Sequence, residues 1–175
     1  SNIDELTSRL KLRWLASDDL TLDLSALYLD IDNGYDAFSL DGNRKTKSNE
    51  PGRDRQESKA LALNSNWKMS DSVTMESVLA ANRTDAEYGF DEDWTDPAFQ
   101  PGYQAFDNYQ REIKKDSIEL RWLSGSEGRI ANSDWLFGVF YQQASIDLIR
   151  DYTYSSEFSS EYTTSSSSLF TEINT

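Results

Sequence analysis

The densest concentration of side chains able to hold a ligand lies between Gly89 and Asn108. Phe90, Asp91, Glu92, Asp93, Trp94, Asp96, Phe99, Tyr103 and Phe106 occur there without a single Lys or Arg. Carboxylates interleaved with aromatic rings suit a cationic, sugar or metal-chelate ligand, gripped by hydrogen bonds, ring stacking and cation–π contact. The ligand-binding candidates are Phe90, Asp91, Asp93, Trp94, Phe99, Tyr103 and Phe106. The same rings could equally pack on one another and keep the segment compact.

Other clusters offer less. The acids Asp91, Glu92 and Asp93 could take Ca²⁺, but consecutive acids in a solvated loop usually bind nothing. Asp30-Ile31-Asp32-Asn33-Gly34-Tyr35-Asp36 is similar to a Ca²⁺ loop, yet Gly34 falls one place early for that pattern. A turn closing a strand accounts for it better. Arg44, Lys45, Lys47, Arg53 and Arg55 form a basic patch against the sign of the chain, suited to lipopolysaccharide phosphates, an anionic chelate, or simply a solvated loop. Glu119 and its acidic neighbours raise the idea of a carboxylate pair for glycoside hydrolysis, but nothing in the spacing fixes a separation. Without Cys or His, thiolate chemistry, catalytic triads and the usual transition-metal ligand sets are unavailable, so no enzyme activity, metal or cofactor is expected. A formal net charge of -14 argues against a nucleic-acid partner.

The elements that must position these residues show themselves by alternation with period two, the mark of half-apolar strands. In Arg9-Leu10-Lys11-Leu12-Arg13-Trp14 the even positions are apolar and the odd ones cationic. Leu20-Thr21-Leu22-Asp23-Leu24 continues the pattern, which then shifts phase to Leu27, Leu29 and Ile31; a bulge near Ser25-Ala26 is expected. Further strands are expected at Ala60–Trp67, from Val73 towards Tyr88, at Ile118–Trp122 and at Trp135–Tyr141, with Leu169–Ile173 starting another. Long loops are expected over Asp32–Glu57, Gly89–Asn108 and the Ser-rich, Tyr-rich stretch Asp151–Ser168. Trp14-Leu15-Ala16-Ser17-Asp18-Asp19-Leu20-Thr21-Leu22 matches Trp67-Lys68-Met69-Ser70-Asp71-Ser72-Val73-Thr74-Met75 in character, each with Trp three residues before a turn.

The fold class is therefore all-β: an antiparallel up-and-down meander of about six strands plus the start of a seventh, over 1–175. Trp14, Trp67, Trp122 and Trp135 all lie beside the short turns. An open sheet in water has no need of Trp at one level, whereas a transmembrane barrel places such rings at the headgroups. The lipid-facing set is Leu10, Leu12, Trp14, Leu20, Leu22, Leu61, Leu63, Trp67, Met75, Ile118, Leu120, Trp122, Trp135, Phe137, Val139 and Tyr141. Arg9, Lys11, Arg13, Asp23, Asn64, Asn66, Lys68, Glu76, Glu119 and Arg121 fall on the other face, with Arg13 opposite Asp23 and Asn66 opposite Glu76. The alternative is a soluble Trp-rich carbohydrate-binding β-sandwich, its apolar face covered by a second sheet. No apolar run approaches the ~20 residues of a membrane helix.

Arg9–Leu22 resembles the periplasmic hairpins of TonB-dependent outer-membrane receptors. So does Asp116-Ser117-Ile118-Glu119-Leu120-Arg121-Trp122-Leu123-Ser124 followed by Asp134-Trp135-Leu136-Phe137-Gly138-Val139-Phe140-Tyr141, a Glu-Leu-Arg strand and then a Trp-x-x-Gly-x-Phe-Tyr strand. Ser168–Ile173 looks like the next strand of the same family. The resemblance implies a middle slice of a barrel of ~22 strands, without plug domain, TonB box or C-terminal aromatic strand. It further implies residence in the outer membrane of a Gram-negative bacterium. The implied partners are outer-membrane lipid, a nutrient ligand such as a metal–siderophore complex, and TonB through the absent N-terminal part. Excised, such a slice is expected to self-associate by pairing its exposed strand edges.

Overall fold

The computed structural model describes residues 3–34, 39, 42–43, 45–50 and 52–175. Seven antiparallel strands follow one another in a single sheet of order β1-β2-β3-β4-β5-β6-β7. They are β1 (Glu5–Ser17), β2 (Leu20–Asn33), β3 (Arg53–Lys68), β4 (Val73–Asp91), β5 (Phe106–Ser124), β6 (Asp134–Tyr152) and β7 (Phe158–Asn174). The sheet is open, with β1 and β7 at its edges, and no second layer covers it among the described residues. The meander and its partial-barrel form are as expected; the sandwich, which needs a facing sheet, gains no support.

The strands are longer than alternation suggests. β4, β5 and β6 each have 19 residues, where ~9–11 tilted residues cross a bilayer. Half of each strand thus stands clear of the apolar zone, and there the side-chain pattern changes. Pairing through β2 is unbroken from Leu22 to Leu29, so the expected bulge at Ser25-Ala26 is absent; the one irregularity lies between Leu15 and Ser17. Leu27, Leu29 and Ile31 therefore point to the face opposite Leu20, Leu22 and Leu24. The apolar phase changes because the outer face beyond Ala26 turns polar and carries Tyr28, Asp30 and Asp32 instead.

A second correction concerns Asp151–Ser168. It is not a long loop but the top of a hairpin, with β6 ending at Tyr152, a connection over 153–157, and β7 running from Phe158. The segment lacks alternation because Ser and Thr line both faces, yet its backbone completes a ladder from Arg150↔Phe158 to Asp134↔Asn174. The seventh strand already has 17 residues, starting at Phe158 rather than Leu169. The contrast of short turns with long loops accordingly holds for the first two hairpins only, since the β5–β6 connection spans 125–133.

Register fixes which residues share a face, because directly paired residues project to the same side. All sixteen residues assigned to lipid fall on one face, here called outer. One row reads Leu20, Trp67, Met75, Trp122, Phe137 and another Leu12, Leu24, Leu63, Leu79, Ile118, Tyr141. Trp14, Trp67, Trp122 and Trp135 sit at the turn end of this belt, with Trp122 stacked on Phe137 at 5.8 Å. The inner face holds the expected pairs: Arg13 bonds both carboxylate oxygens of Asp23 at 2.7 and 2.9 Å, and Asn66 donates to Glu76 at 3.3 Å. Among the described residues the one buried apolar side chain is Ala105. The sheet spreads its apolar surface over the outer face, with no core beneath it among the described residues.

The turn ends of neighbouring hairpins are stapled together. Gly125 donates its N–H to the Ser72 carbonyl at 2.8 Å, and the Trp135 indole donates to the Gly128 carbonyl at 2.8 Å. A Cβ on Gly128 would lie 1.9 Å from the Ser72 carbonyl oxygen, which is backbone and cannot swing away. Gly128→Ala is therefore expected to destabilise this end by ~1–3 kcal/mol. Hydrogen exchange at the Gly125 and Trp135 amides checks it: faster exchange is predicted, and unchanged protection would contradict the staple.

Candidate functional site at the loop end of the sheet

The loop end of β4, β5 and β6 carries the acidic aromatic segment. The chain leaves β4 at Asp91 and enters β5 at Phe106, so 92–105 must fold back within one strand spacing. Its carboxylates make that possible. Asp91, fully buried, accepts from the Trp94 N–H at 3.1 Å and from the Asn49 N–H at 3.1 Å. Asp93 accepts from the Thr95 N–H at 2.9 Å, the Thr95 hydroxyl at 2.8 Å and the Ala105 N–H at 2.8 Å. Asp96 accepts from the Ala98 and Phe99 N–H groups at 2.8 and 2.9 Å. Burial would push the Asp93 carboxyl up, but the hydrogen bonds from Thr95 and Ala105 outweigh it and hold it below the ordinary carboxylate range.

The sequence candidates thus divide by role. Asp91 and Asp93 close the loop by satisfying backbone N–H groups that would otherwise be buried without partners. Trp94 takes a left-handed conformation, φ 57°, imposed by the tight turn over Asp91. Phe99 and Tyr103 remain exposed, at 49% and 39%. The Lys47 ammonium lies 3.3 Å above the Phe99 ring, so the first loop reaches across the second. Tyr103 stacks on Tyr154 at 5.5 Å and donates to Glu92 at 3.3 Å. Phe106 shares the outer face with Asp91, whereas Phe90 points inward and meets Tyr88 at 5.7 Å. Among the described residues no group of three or more acids is arranged to hold a metal ion.

The described residues of the basic patch meet different partners. Arg53 pairs with Glu87 at 3.0 Å and Arg55 with Asp32 at 2.8 Å, both across strands, while Arg44 lies outside the described residues. Of the segment 30–36, Asn33 donates to Glu5 at 3.0 Å and accepts from the Asp4 N–H at 3.0 Å, closing the β1–β2 edge; Tyr35 and Asp36 lie outside the described residues. Glu119 is ion-paired with Arg121 on the inner face.

A cluster absent from the sequence candidates lies on the inner face of the same rim. Register sets Tyr88, Tyr109, Arg150 and Phe158 in one inward row, and Phe90, Asp107 and Tyr152 in the next. Arg150 binds Asp107 through two parallel hydrogen bonds of 2.8 and 2.6 Å and lies 5.2 and 5.1 Å from the Tyr109 and Tyr152 rings. Arg111 faces Tyr109 at 5.4 Å. The Arg150 guanidinium and the Tyr109 hydroxyl hold the Asp107 carboxyl below its ordinary range, while hydrogen bonds with Glu92 and Tyr103 push the Tyr152 hydroxyl up. Asp107 and Arg150 are 43 residues apart, so only the β5–β6 register could have joined them. The rim therefore presents inward aromatic faces and guanidinium groups, chemistry suited to an aromatic or anionic solute.

An open meander with an outward apolar belt, a Trp level at one end and charged residues inside is a segment of a transmembrane β-barrel wall. Its fold is that of a slice of a TonB-dependent receptor barrel, as two solved structures make plain. The ferric yersiniabactin uptake receptor FyuA from Yersinia pestis matches over 94% of this chain and 26% of its own, with TM-score 0.64 and 18% identity. The outer membrane transporter YddB from Escherichia coli matches over 98% of this chain and 25% of its own, with TM-score 0.64 and 11% identity. The chain thus spans about a quarter of each. No protein-family model and no curated protein sequence matches it. Both structural neighbours are named for uptake or transport rather than for catalysis.

Proposed function

We propose that this chain is wall from the barrel of a Gram-negative outer-membrane receptor that takes up a scarce nutrient, with energy delivered through TonB by a part of the protein outside these residues. The observation that carries the reading is the outer belt itself: sixteen apolar residues on one face, bounded by four Trp, on strands whose other face is charged. Such a sheet is stable only between lipid and a wet lumen. In isolation its β1 and β7 edges are free to pair between copies.

The rim supports a reading of the solute class. Phe99 and Tyr103 offer ring faces on the loop side, and Tyr109, Arg111, Arg150 and Tyr152 line the inner wall. Rings with guanidinium groups suit a large aromatic or carboxylated metal chelate, and the likeness to a ferric yersiniabactin receptor supports a siderophore complex. Trp94 lies in the same loop as Phe99 and Tyr103, its N–H held by Asp91. Trp94→Ala in the full-length receptor is expected to weaken chelate binding at least tenfold, a loss of ~1.4 kcal/mol or more, while heat-modifiable barrel assembly is retained. Uptake and binding of a ferric chelate equal to wild type would remove Trp94 from the site.

A further inference from the structure

Three cations stand in direct cross-strand register on the outer face: Lys59 opposite Arg83, and Arg83 opposite Lys114. On β3 and β4 this row lies one pleat beyond Leu61 and Ala81, the last apolar positions of the belt; on β5 Asp116 intervenes between Lys114 and Ile118. Like charges set directly opposite repel, so the row is held by acids beside it. Lys59 contacts Glu57 at 2.5 Å, Lys114 contacts Glu112 at 2.6 Å and Arg83 contacts Asp116 at 2.8 Å. The three side chains nevertheless remain 65%, 44% and 46% exposed; Arg83 also donates to the Asn82 and Lys115 carbonyls at 2.7 and 3.3 Å through one nitrogen, which leaves donors on its five-donor guanidinium and on both ammonium groups.

The next row outward is entirely acidic: Asp30, Glu57, Asp85, Glu112, Asp147 and Glu161, one on every strand from β2 to β7. An anion is repelled from that row, and burying it in the apolar belt below costs its hydration. The cation row is the level between them at which a phosphate is stabilised, and it is continuous with the belt where acyl chains lie. We propose that Lys59, Arg83 and Lys114 seat the phosphate of an outer-leaflet lipid whose chains run along Leu61, Leu63 and Leu79. The inference rests on the barrel reading and adds to it a lipid site on the outer wall, remote from the ligand rim.

The test uses the full-length protein, purified in detergent, with lipid A carrying both phosphates and its dephosphorylated form titrated as separate probes and bound lipid counted by native mass spectrometry. Wild type is expected to prefer the phosphorylated form by about tenfold or more, given the usual contribution of each cation near an anionic lipid surface. The variant Lys59→Gln/Arg83→Gln/Lys114→Gln is expected to lose that preference. A second variant, Glu57→Gln/Glu112→Gln, frees two of the cations and is expected to bind the phosphorylated form more tightly than wild type, so the proposal is tested even if the first variant fails to assemble. Equal binding of the two lipids by wild type, an undiminished preference in the triple variant, or unchanged affinity in the second would overturn it. A protein that never forms a detergent-stable barrel would instead sink the barrel reading.

Discussion

Leu63→Arg in the full-length receptor is expected to cost ~2–4 kcal/mol of barrel stability, the usual penalty for a cation on the lipid face near the bilayer midplane. Leu63 lies in the middle of the outer belt, level with Leu24, Leu79 and Ile118 and between the Trp67 row and the Lys59 row. Its neighbour Ala62 is one residue away and inward, beside Ser25 and Ala80. Ala62→Arg at the same depth should therefore cost far less, because its side chain enters the wet interior. Equilibrium unfolding from lipid vesicles in denaturant reads both. Similar losses at 62 and 63 would mean that the two faces have been assigned wrongly.

Arg150→Ala should have the next largest effect, confined to the rim. Asp107 is 4% exposed and depends on two hydrogen bonds from Arg150. Removing the guanidinium leaves a nearly buried carboxylate without its charge partner, which is destabilising, though less than for a pair buried on both sides because Arg150 is itself part-exposed. Changing Asp107 to Asn in the same molecule should restore most of the loss, since the unpaired charge is then gone. Acid should weaken the same pairing from the other side, by neutralising Asp107. The Asp107 pKa is depressed in the folded protein, so its contribution is complete above the unfolded value near ~3.9 and is lost as pH falls through the folded one. Protection of the Tyr109 and Tyr152 amides in hydrogen exchange should hold from pH 7 to about pH 4 and fall below it. Protection that drops between pH 7 and 5, or a double variant no better than the single one, would contradict the pairing.

The membrane half of the wall was legible in the sequence because lipid and lumen impose opposite demands on alternate residues. Leu10, Leu12 and Trp14 against Arg9, Lys11 and Arg13 is a pattern with one solution, and the Arg13–Asp23 and Asn66–Glu76 pairs follow from folding each hairpin about its turn. Above the membrane that constraint disappears. Ser159, Glu161, Thr163 and Ser165 face outward and Ser160, Tyr162, Thr164 and Ser166 inward; water accepts both, so β7 shows no alternation and resembles a linker. The phase change in β2 has the same origin. An apolar run that crosses from Leu24 to Leu27 looks like a slipped strand, when the strand is regular and its surroundings differ. The rim candidates were half legible. Composition located the loop 92–105, but the roles of Asp91 and Asp93 in capping backbone N–H groups depend on contacts with Asn49 and Ala105, and the Arg150 cluster depends on pairing over 43 residues.

The proposed wall has one face against lipid and the other against a wet lumen. The most direct measurement is nitroxide accessibility at successive positions from Ala60 to Asn66, introduced one at a time into the full-length protein in bilayers. This segment has no Cys, so single labels add no competing thiol within it. Alternation with period two is expected: positions 61, 63 and 65 open to dissolved oxygen and closed to a water-soluble nickel chelate, and positions 60, 62, 64 and 66 the reverse. Uniform accessibility to the chelate along the strand, or alternation of the opposite phase, would contradict it.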